Sequence, residues 1–205
     1  MPGDIESWSP LSIPAVVDVL GGLSVPWWIA GGWALDLFLG RCTRPHADTD
    51  VLVLRRDLPE VREVLRGWDV HAADPPGMLR PWPIGTTLPA SVHDIWCRPE
   101  PAAPWALQLM VDDTDGEEWI YRRDPRIRRA VSELAGPTST DELLILGPEV
   151  QLLHKSHKPR RKDLDDFHAV VDVLDGRQRH WLRSALMLVA PQHAWHSELE
   201  AAQQP

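Results

Sequence analysis

The sequence predicts an α/β fold, a small mixed sheet flanked by helices and followed by a C-terminal helical unit. Three observations predict this class. Short apolar runs bounded by Gly or Pro alternate with stretches of helical apolar spacing. A Gly-Gly pair joins the first apolar run to a helix, and the composition changes after Gly147. A chain of 205 residues suits one domain or two small ones, and we divide it into domains 1–135 and 136–205.

Turn residues and apolar spacing define the individual elements. We predict helices over 13–20, 33–39, 58–65, 149–155, 164–174 and 179–189. We predict strands over 25–30, 49–54, 90–97, 106–111 and 119–122. The Pro- and Gly-rich stretch 74–89 is predicted to be a long loop, and Asp112–Gly116 a turn. The polar tail from Gln192 is expected to be frayed.

Charge and cysteine content restrict the class of partner. The formal net charge of −9 disfavours general nucleic-acid binding and mildly favours a cationic acceptor. The two cysteines form no disulfide framework, which fits a reducing cytosol. We expect a cytoplasmic protein without membrane contact, because neither a signal-peptide pattern nor a bilayer-length apolar run is visible.

The Gly31-Gly32 pair follows a predicted strand and begins a predicted helix. Glycine lets the backbone approach a ligand closely, and the amides at a helix start face an anion. A Gly-Gly pair alone is also a common turn. The pair therefore indicates an anion site only together with its neighbours.

Asp48 and Asp50 are those neighbours, two residues apart at the entrance of a predicted strand. Side chains at i and i+2 of a strand point to the same side, and two adjacent carboxylates repel unless a cation lies between them. Mg²⁺ suits carboxylates together with phosphate oxygens. A zinc site that adds His46 is a weaker alternative, because no further His or Cys has a convincing spacing.

These residues carry a resemblance to a known family. The segments Trp28-Ile29-Ala30-Gly31-Gly32-Trp33-Ala34-Leu35-Asp36 and Gly40-Arg41, with Thr43-Arg44, His46, Asp48 and Asp50, resemble the antibiotic nucleotidyltransferases of the lincosamide and aminoglycoside-2''-adenylyltransferase type. That family lies within the DNA polymerase beta-like nucleotidyltransferase superfamily. The resemblance is dense over 27–53, thinner over 90–99, and returns over 148–174.

The resemblance implies a polymerase beta-like fold and a set of roles. Asp48 and Asp50 would bind Mg²⁺ and take part in catalysis. The nucleotide would contact the Gly31, Gly32 and Trp33 amides. Arg41, Arg44 and His46 precede the metal pair, and for the two arginines phosphate contact and loop anchoring remain equally open, while a structural hydrogen bond is favoured for His46.

A third carboxylate is expected on a later strand. Asp94 lies within an apolar run, where an unpaired carboxylate would be costly. Its context, with Pro99 shortly after, resembles that of the family's third acid, so we assign Asp94 as general base and third metal ligand. Asp112, at the end of the next predicted strand, is the alternative.

Lys155 begins the most basic segment of the chain, which runs to Lys162. Cations at a helix end interact favourably with the helix dipole, so a solvated helix end explains the segment. Phosphate contact by Lys155 explains it equally well. Both readings remain open.

The implied function is transfer of AMP from ATP to a hydroxyl of a small molecule, with Mg²⁺ as cofactor and an aminoglycoside or lincosamide antibiotic as the expected acceptor. Two alternatives remain. Transfer to a macromolecule, such as tRNA or a protein, is disfavoured for RNA by the acidic charge. A nucleotide-binding module without turnover stays possible while the third acid is uncertain.

Overall fold

A computed structural model describes residues 7–137 and 143–201. It confirms an α/β protein with a mixed sheet and helices. Backbone contacts divide the described chain into two units, which we call unit 1 (7–30 and 46–114) and unit 2 (31–45 and 115–201). The units interleave along the chain, whereas the sequence-based division cut it once after residue 135. That division stays a prediction.

The helices are α1 (Ile13–Leu20), α2 (Gly31–Leu39), α3 (Leu58–Val64), α4 (Pro148–Lys155), α5 (Arg161–Val170), α6 (Gly176–Val189) and α7 (Trp195–Ala201). The strands are β1 (Trp28–Ile29), β2 (Asp50–Leu54), β3 (Asp69–Ala73), β4 (Leu79–Pro81), β5 (Asp94–Arg98), β6 (Leu107–Asp115), β7 (Glu118–Ile120), β8 (Arg128–Ala130), β9 (Ala135–Gly136) and β10 (Ile145–Leu146).

Unit 1 is built on a mixed sheet with the strand order β4-β3-β5-β6-β2-β1. The β2–β6 pair is parallel and the other neighbours in this order are antiparallel. Along β5, Ile95 and Cys97 are buried, while Asp94, Trp96 and Arg98 are half-buried. The alternation gives this sheet one core face and one face that carries polar side chains.

Local sequence signals explain where the helices of unit 1 begin. The Ser12 hydroxyl accepts a hydrogen bond from the Ala15 amide at 3.4 Å, and a proline occupies the first turn of α1. A serine cap and a proline in the first turn are typical helix starts. The buried side of α1, with Val16 and Leu20, then packs into the core.

The structure corrects two predictions in the first 115 residues. The predicted loop 74–89 contains β4, which pairs with the unpredicted strand β3. The predicted turn at Asp112–Gly116 is wrong over residues 112–115, because β6 continues to Asp115. Polar residues near the end of a long strand resemble a turn in sequence, and only pairing with a neighbouring strand reveals that they are extended.

Unit 2 contains the hairpin β7–β8, the pair β9–β10, and five helices among its described residues. Its core includes the stacked rings of Phe167 and Trp195, whose centroids lie 4.1 Å apart at an interplanar angle of 2°. Trp195 and Leu199 of α7 are buried. The prediction of a frayed tail is therefore wrong over residues 192–201, because two apolar anchors hold α7 within this unit. The rest of that predicted tail lies outside the described residues.

Over residues 7–137 and 143–201, no helix combines the length and apolar character that crossing a membrane requires.

Candidate active site

The entrance of β2 holds its acids in a fixed register. Thr49 lies between Asp48 and Asp50 and is fully buried. Its hydroxyl donates to the Leu11 carbonyl at 2.8 Å, and its carbonyl accepts from the Gln108 amide at 2.9 Å. Asp48 and Asp50 are both half-buried on either side of it. The alternation in burial fits two carboxylates that point to the same side, opposite Thr49.

Asp94 lies on the same face of the unit 1 sheet as Asp50. Asp50 is in register with Gln108 of β6, and Gln108 is in register with Trp96 of β5. Residues in register share a face, and Asp94 precedes Trp96 by two positions. The Gln108 side-chain amide donates to the Asp94 carboxylate at 3.0 Å. Gln108 therefore neighbours one acid in the sheet and orients the other.

Asp112 differs from Asp94 in its environment. It pairs in register with Leu54, at the far end of β2 from Asp50, and is 1% exposed. Asp94 is half-buried. A residue that exchanges a proton with a ligand needs access to it. The difference in exposure supports Asp94 as the third acid.

The Gly31-Gly32 pair begins α2 in unit 2. Gly31 has a φ of +66°, a left-handed conformation that glycine adopts readily and other residues rarely. Its amide donates to the Gln151 side-chain oxygen at 2.8 Å in a buried hydrogen bond. Gln151 is a site residue that the sequence analysis missed. Gly31 and Gln151 are 120 positions apart, so no local sequence pattern predicts the hydrogen bond between them.

The loop after α2 is held by Asp36, which is 4% exposed. Its carboxylate accepts from the Thr43 amide at 3.1 Å and from the Thr43 hydroxyl at 2.5 Å. The Arg41 amide donates to the Asp36 carbonyl at 3.1 Å, while the Arg41 residue itself is exposed. These hydrogen bonds therefore fix the part of the loop that directly precedes Arg44.

Arg44 and Lys155 meet at one carboxylate. The Arg44 guanidinium binds Asp166 through two parallel hydrogen bonds of 2.8 Å each. The Lys155 ammonium lies 2.8 Å from Asp166 and 3.2 Å from Asp163. We call Arg44, Lys155, Asp163 and Asp166 the ion-pair cluster. It joins the loop after α2 to α4 and α5 within unit 2.

The cluster keeps its carboxylates ionised. Burial raises the pKa of Asp163, but hydrogen bonds from Arg160 and the charge of Lys155 outweigh it and lower the pKa to about 2. Burial likewise raises the pKa of Asp166, and the hydrogen bond from Arg44 and the charge of Lys155 bring it below its usual range. Both acids therefore remain negatively charged at neutral pH.

The remaining predicted site residues are distributed over both units. Trp33 is half-buried in the first turn of α2, and Gly32 beside it is buried. His46 is half-buried in unit 1, just before the acids of β2. In unit 1 the structure brings Asp50 and Asp94 to one face, and in unit 2 it brings Arg44 and Lys155 to one carboxylate.

Two solved structures share the mixed α/β fold of this chain. The solution structure of the antibiotic-resistance factor ANT(2'')-Ia has a TM-score of 0.56 at 17% identity, over 90% of this chain and 95% of that one. The lincomycin-bound lincosamide antibiotic adenylyltransferase LnuA has a TM-score of 0.55 at 16% identity, over 82% of this chain and 99% of that one.

Sequence comparisons point to one family within this fold. Residues 12–73 match the family model of aminoglycoside-2''-adenylyltransferase. The chain is 45% identical over 47 residues to 2''-aminoglycoside nucleotidyltransferases of Escherichia coli and Klebsiella pneumoniae. The match covers 22% of this chain and 27% of each relative. Together these findings confirm the resemblance to the antibiotic nucleotidyltransferases.

Proposed function

We propose that this protein is a nucleotidyltransferase that moves AMP from ATP to a hydroxyl of a small molecule. The observation that carries the proposal is the arrangement of Asp50, Gln108 and Asp94 on one face of the unit 1 sheet, with Asp48 two residues before Asp50. Segment 12–73, which matches the adenylyltransferase family model, contains both Asp48 and Asp50.

The donor set fits a divalent metal ion. Asp48 and Asp50 are half-buried carboxylates on one side of the chain, and carboxylate oxygens are what Mg²⁺ prefers. We assign Mg²⁺ to Asp48 and Asp50, with Asp94 as the third ligand. Bound there, the ion would offset negative charge on the transferring phosphate.

Asp94 is the proposed general base. It would take the proton from the acceptor hydroxyl, whose oxygen then attacks the α-phosphorus of ATP while pyrophosphate leaves. The hydrogen bond from the Gln108 side chain orients the Asp94 carboxylate on this face of the sheet.

Unit 2 supplies the proposed nucleotide contacts, which are Gly31, Gly32, Trp33, Arg41, Arg44 and Lys155. The left-handed Gly31 lets the chain turn into α2, so that the following amides start a helix and can face an anion. Because the Gly31 amide binds Gln151, we assign the closest phosphate contacts to the Gly32 and Trp33 amides.

The proposed acceptor is an aminoglycoside or lincosamide antibiotic. Of two structural relatives, LnuA is lincomycin-bound and ANT(2'')-Ia is in complex with adenylyl-2''-tobramycin. The net charge of −9 favours the more cationic of these classes, the aminoglycosides. Modification of such an acceptor would make the protein an antibiotic-resistance enzyme.

One experiment tests the activity directly. The protein is incubated with ATP, Mg²⁺ and separate aminoglycosides and lincosamides, and each acceptor is examined by mass spectrometry for an added AMP. We expect the addition on at least one acceptor, and none when Mg²⁺ is chelated. Binding of ATP without transfer to any acceptor would contradict the proposal and favour a nucleotide-binding module.

A further inference from the structure

Three side-chain cations are proposed to contact phosphate. Arg41 is exposed, whereas Arg44 and Lys155 are half-buried and belong to the ion-pair cluster. Asp166, with a side chain 2% exposed, binds Arg44 through both carboxylate oxygens and Lys155 through one of them. A planar guanidinium held by two parallel bonds has a fixed orientation, whereas a lysine ammonium is oriented only by the groups around it. Asp166 therefore contacts both positive charges, and it shares Lys155 with Asp163.

The cluster is also tied to the glycine turn. Gln151, which holds the Gly31 amide, and Lys155 are four residues apart on α4, and side chains at i and i+4 share one face of a helix. Lys155 thus lies one helical turn from the residue that fixes the start of α2. Arg44 reaches the same acid from the loop after α2. Helix α4 therefore carries both the residue that holds the Gly31 turn and the lysine that shares Asp166 with Arg44.

We infer that Asp166 is a positioning residue, which holds Arg44 and Lys155 in place for the triphosphate of the bound nucleotide. The inference rests on the proposed function. Lysine has three N–H donors, and Asp163 and Asp166 accept two, so the third is left for a ligand oxygen. Asp166 acts through the two cations and makes no proposed contact of its own.

Removing the Asp166 charge has two opposite effects on nucleotide binding. Loss of a negative charge close to the triphosphate would tighten binding through Coulomb attraction alone. Loss of the hydrogen bonds that orient Arg44 and Lys155 would weaken it. If positioning dominates, Asp166→Asn weakens binding, so the direction of the change decides between the two effects.

The test measures the affinity of the full chain for an α,β-methylene analogue of ATP with Mg²⁺, by calorimetry. We expect Asp166→Asn to raise Kd by about tenfold, since the variant loses charge-assisted hydrogen bonds that orient Arg44 and Lys155. Arg44→Ala should raise Kd to a similar extent. The matched control is Asp165→Asn. This variant removes an exposed carboxylate at the position of α5 that precedes Asp166, and it should leave Kd unchanged.

A double-mutant cycle separates positioning from general stability. If Asp166 acts partly through Arg44, then Asp166→Asn should raise Kd less in an Arg44→Ala background than in wild type, because only the positioning of Lys155 remains to be lost. Equal effects of Asp166→Asn in both backgrounds would overturn a role through Arg44. Unchanged or tighter binding by Asp166→Asn, with only a lower Tm, would overturn the inference altogether.

Two further results keep the inference testable. If Asp166→Asn fails to fold, Asp166→Glu keeps the charge but displaces it by one methylene, and we expect it to weaken binding less than Arg44→Ala. Full wild-type affinity in Asp166→Glu, with Arg44→Ala and Lys155→Ala also unaffected, would overturn the inference. Failure of the wild-type chain to bind the analogue would instead contradict the proposed function.

Discussion

Asp48 and Asp50 flank a buried threonine, whose hydrogen bonds to Leu11 and Gln108 fix the backbone between them. We expect Asp48→Asn and Asp50→Asn each to lower AMP transfer by at least about 10²-fold, because each removes one charge from the proposed metal site. The fold should survive, since two adjacent carboxylates repel in the absence of a cation. Transfer rates near wild type in either variant, measured with saturating Mg²⁺, would exclude the metal assignment.

The choice between Asp94 and Asp112 is a second question at the level of single residues. A positioned carboxylate base typically contributes about 10² to 10⁴-fold to a rate, so we expect Asp94→Asn to lose transfer by that order while ATP binding is largely kept. Asp112→Asn removes a charge from a buried strand position and should lower the free energy of unfolding instead. Single-turnover transfer and denaturant unfolding on both variants make the comparison.

The reverse pattern would move the base to Asp112. If Asp112→Asn abolished transfer with unchanged stability and Asp94→Asn stayed active, the exposure argument would be wrong. Gln108→Leu gives an intermediate check, because it removes the hydrogen bond that orients Asp94 but keeps the carboxylate. We expect a partial loss of transfer from it.

The start of α2 shows how an element depends on a distant side chain. Gln151 is 2% exposed and accepts the buried Gly31 amide. We expect Gln151→Ala to lower the free energy of unfolding by about 1–3 kcal/mol, because the amide loses its acceptor away from water. Gln192→Ala is the control, since Gln192 is exposed. Equal unfolding free energies for the two variants would show that the Gly31 turn does not need this bond.

Most helices could be predicted because their signals are local. Ser12 and Pro14 mark the start of α1, and Pro148 marks that of α4. Strand β3 and the pair β9–β10 were missed because short strands are defined by their partners, which lie elsewhere in the sequence. The Asp48–Asp50 pair was visible as a motif. Gln108 and Gln151 could not be assigned, because their roles depend on register and on a contact across 120 residues.

The acid stability of the whole molecule should reflect the ion-pair cluster. The pKa of Asp163 is lowered from 3.8 to about 2 in the folded chain, and that of Asp166 is lowered as well. A carboxylate whose folded pKa is below its unfolded pKa stabilises the fold above the unfolded value, and this contribution is lost as the pH falls through the folded pKa. The cluster should therefore stabilise the protein above about pH 4 and progressively less below it.

We expect Asp163→Asn to remove part of this pH dependence, on the order of 2 kcal/mol between the two protonation limits. Urea unfolding of wild type and variant at about pH 5 and about pH 3 measures it. The decrease in unfolding free energy on acidification should be smaller in Asp163→Asn than in wild type. Equal decreases in the two proteins would mean that Asp163 has the same pKa in the folded and unfolded chain.

The interleaving of the two units has a consequence for how the protein is made. A ribosome releases the chain from its N-terminus, so every residue of unit 1 has been synthesised once Thr114 has emerged. Unit 2 cannot form at that stage, because the hydrogen-bond partners of Gly31 and Arg44 have not been synthesised. Those partners, Gln151 and Asp166, come more than a hundred residues later. Domains tend to fold as units during synthesis. The glycine turn and the loop after it are therefore translated more than a hundred residues before the partners that complete their native contacts.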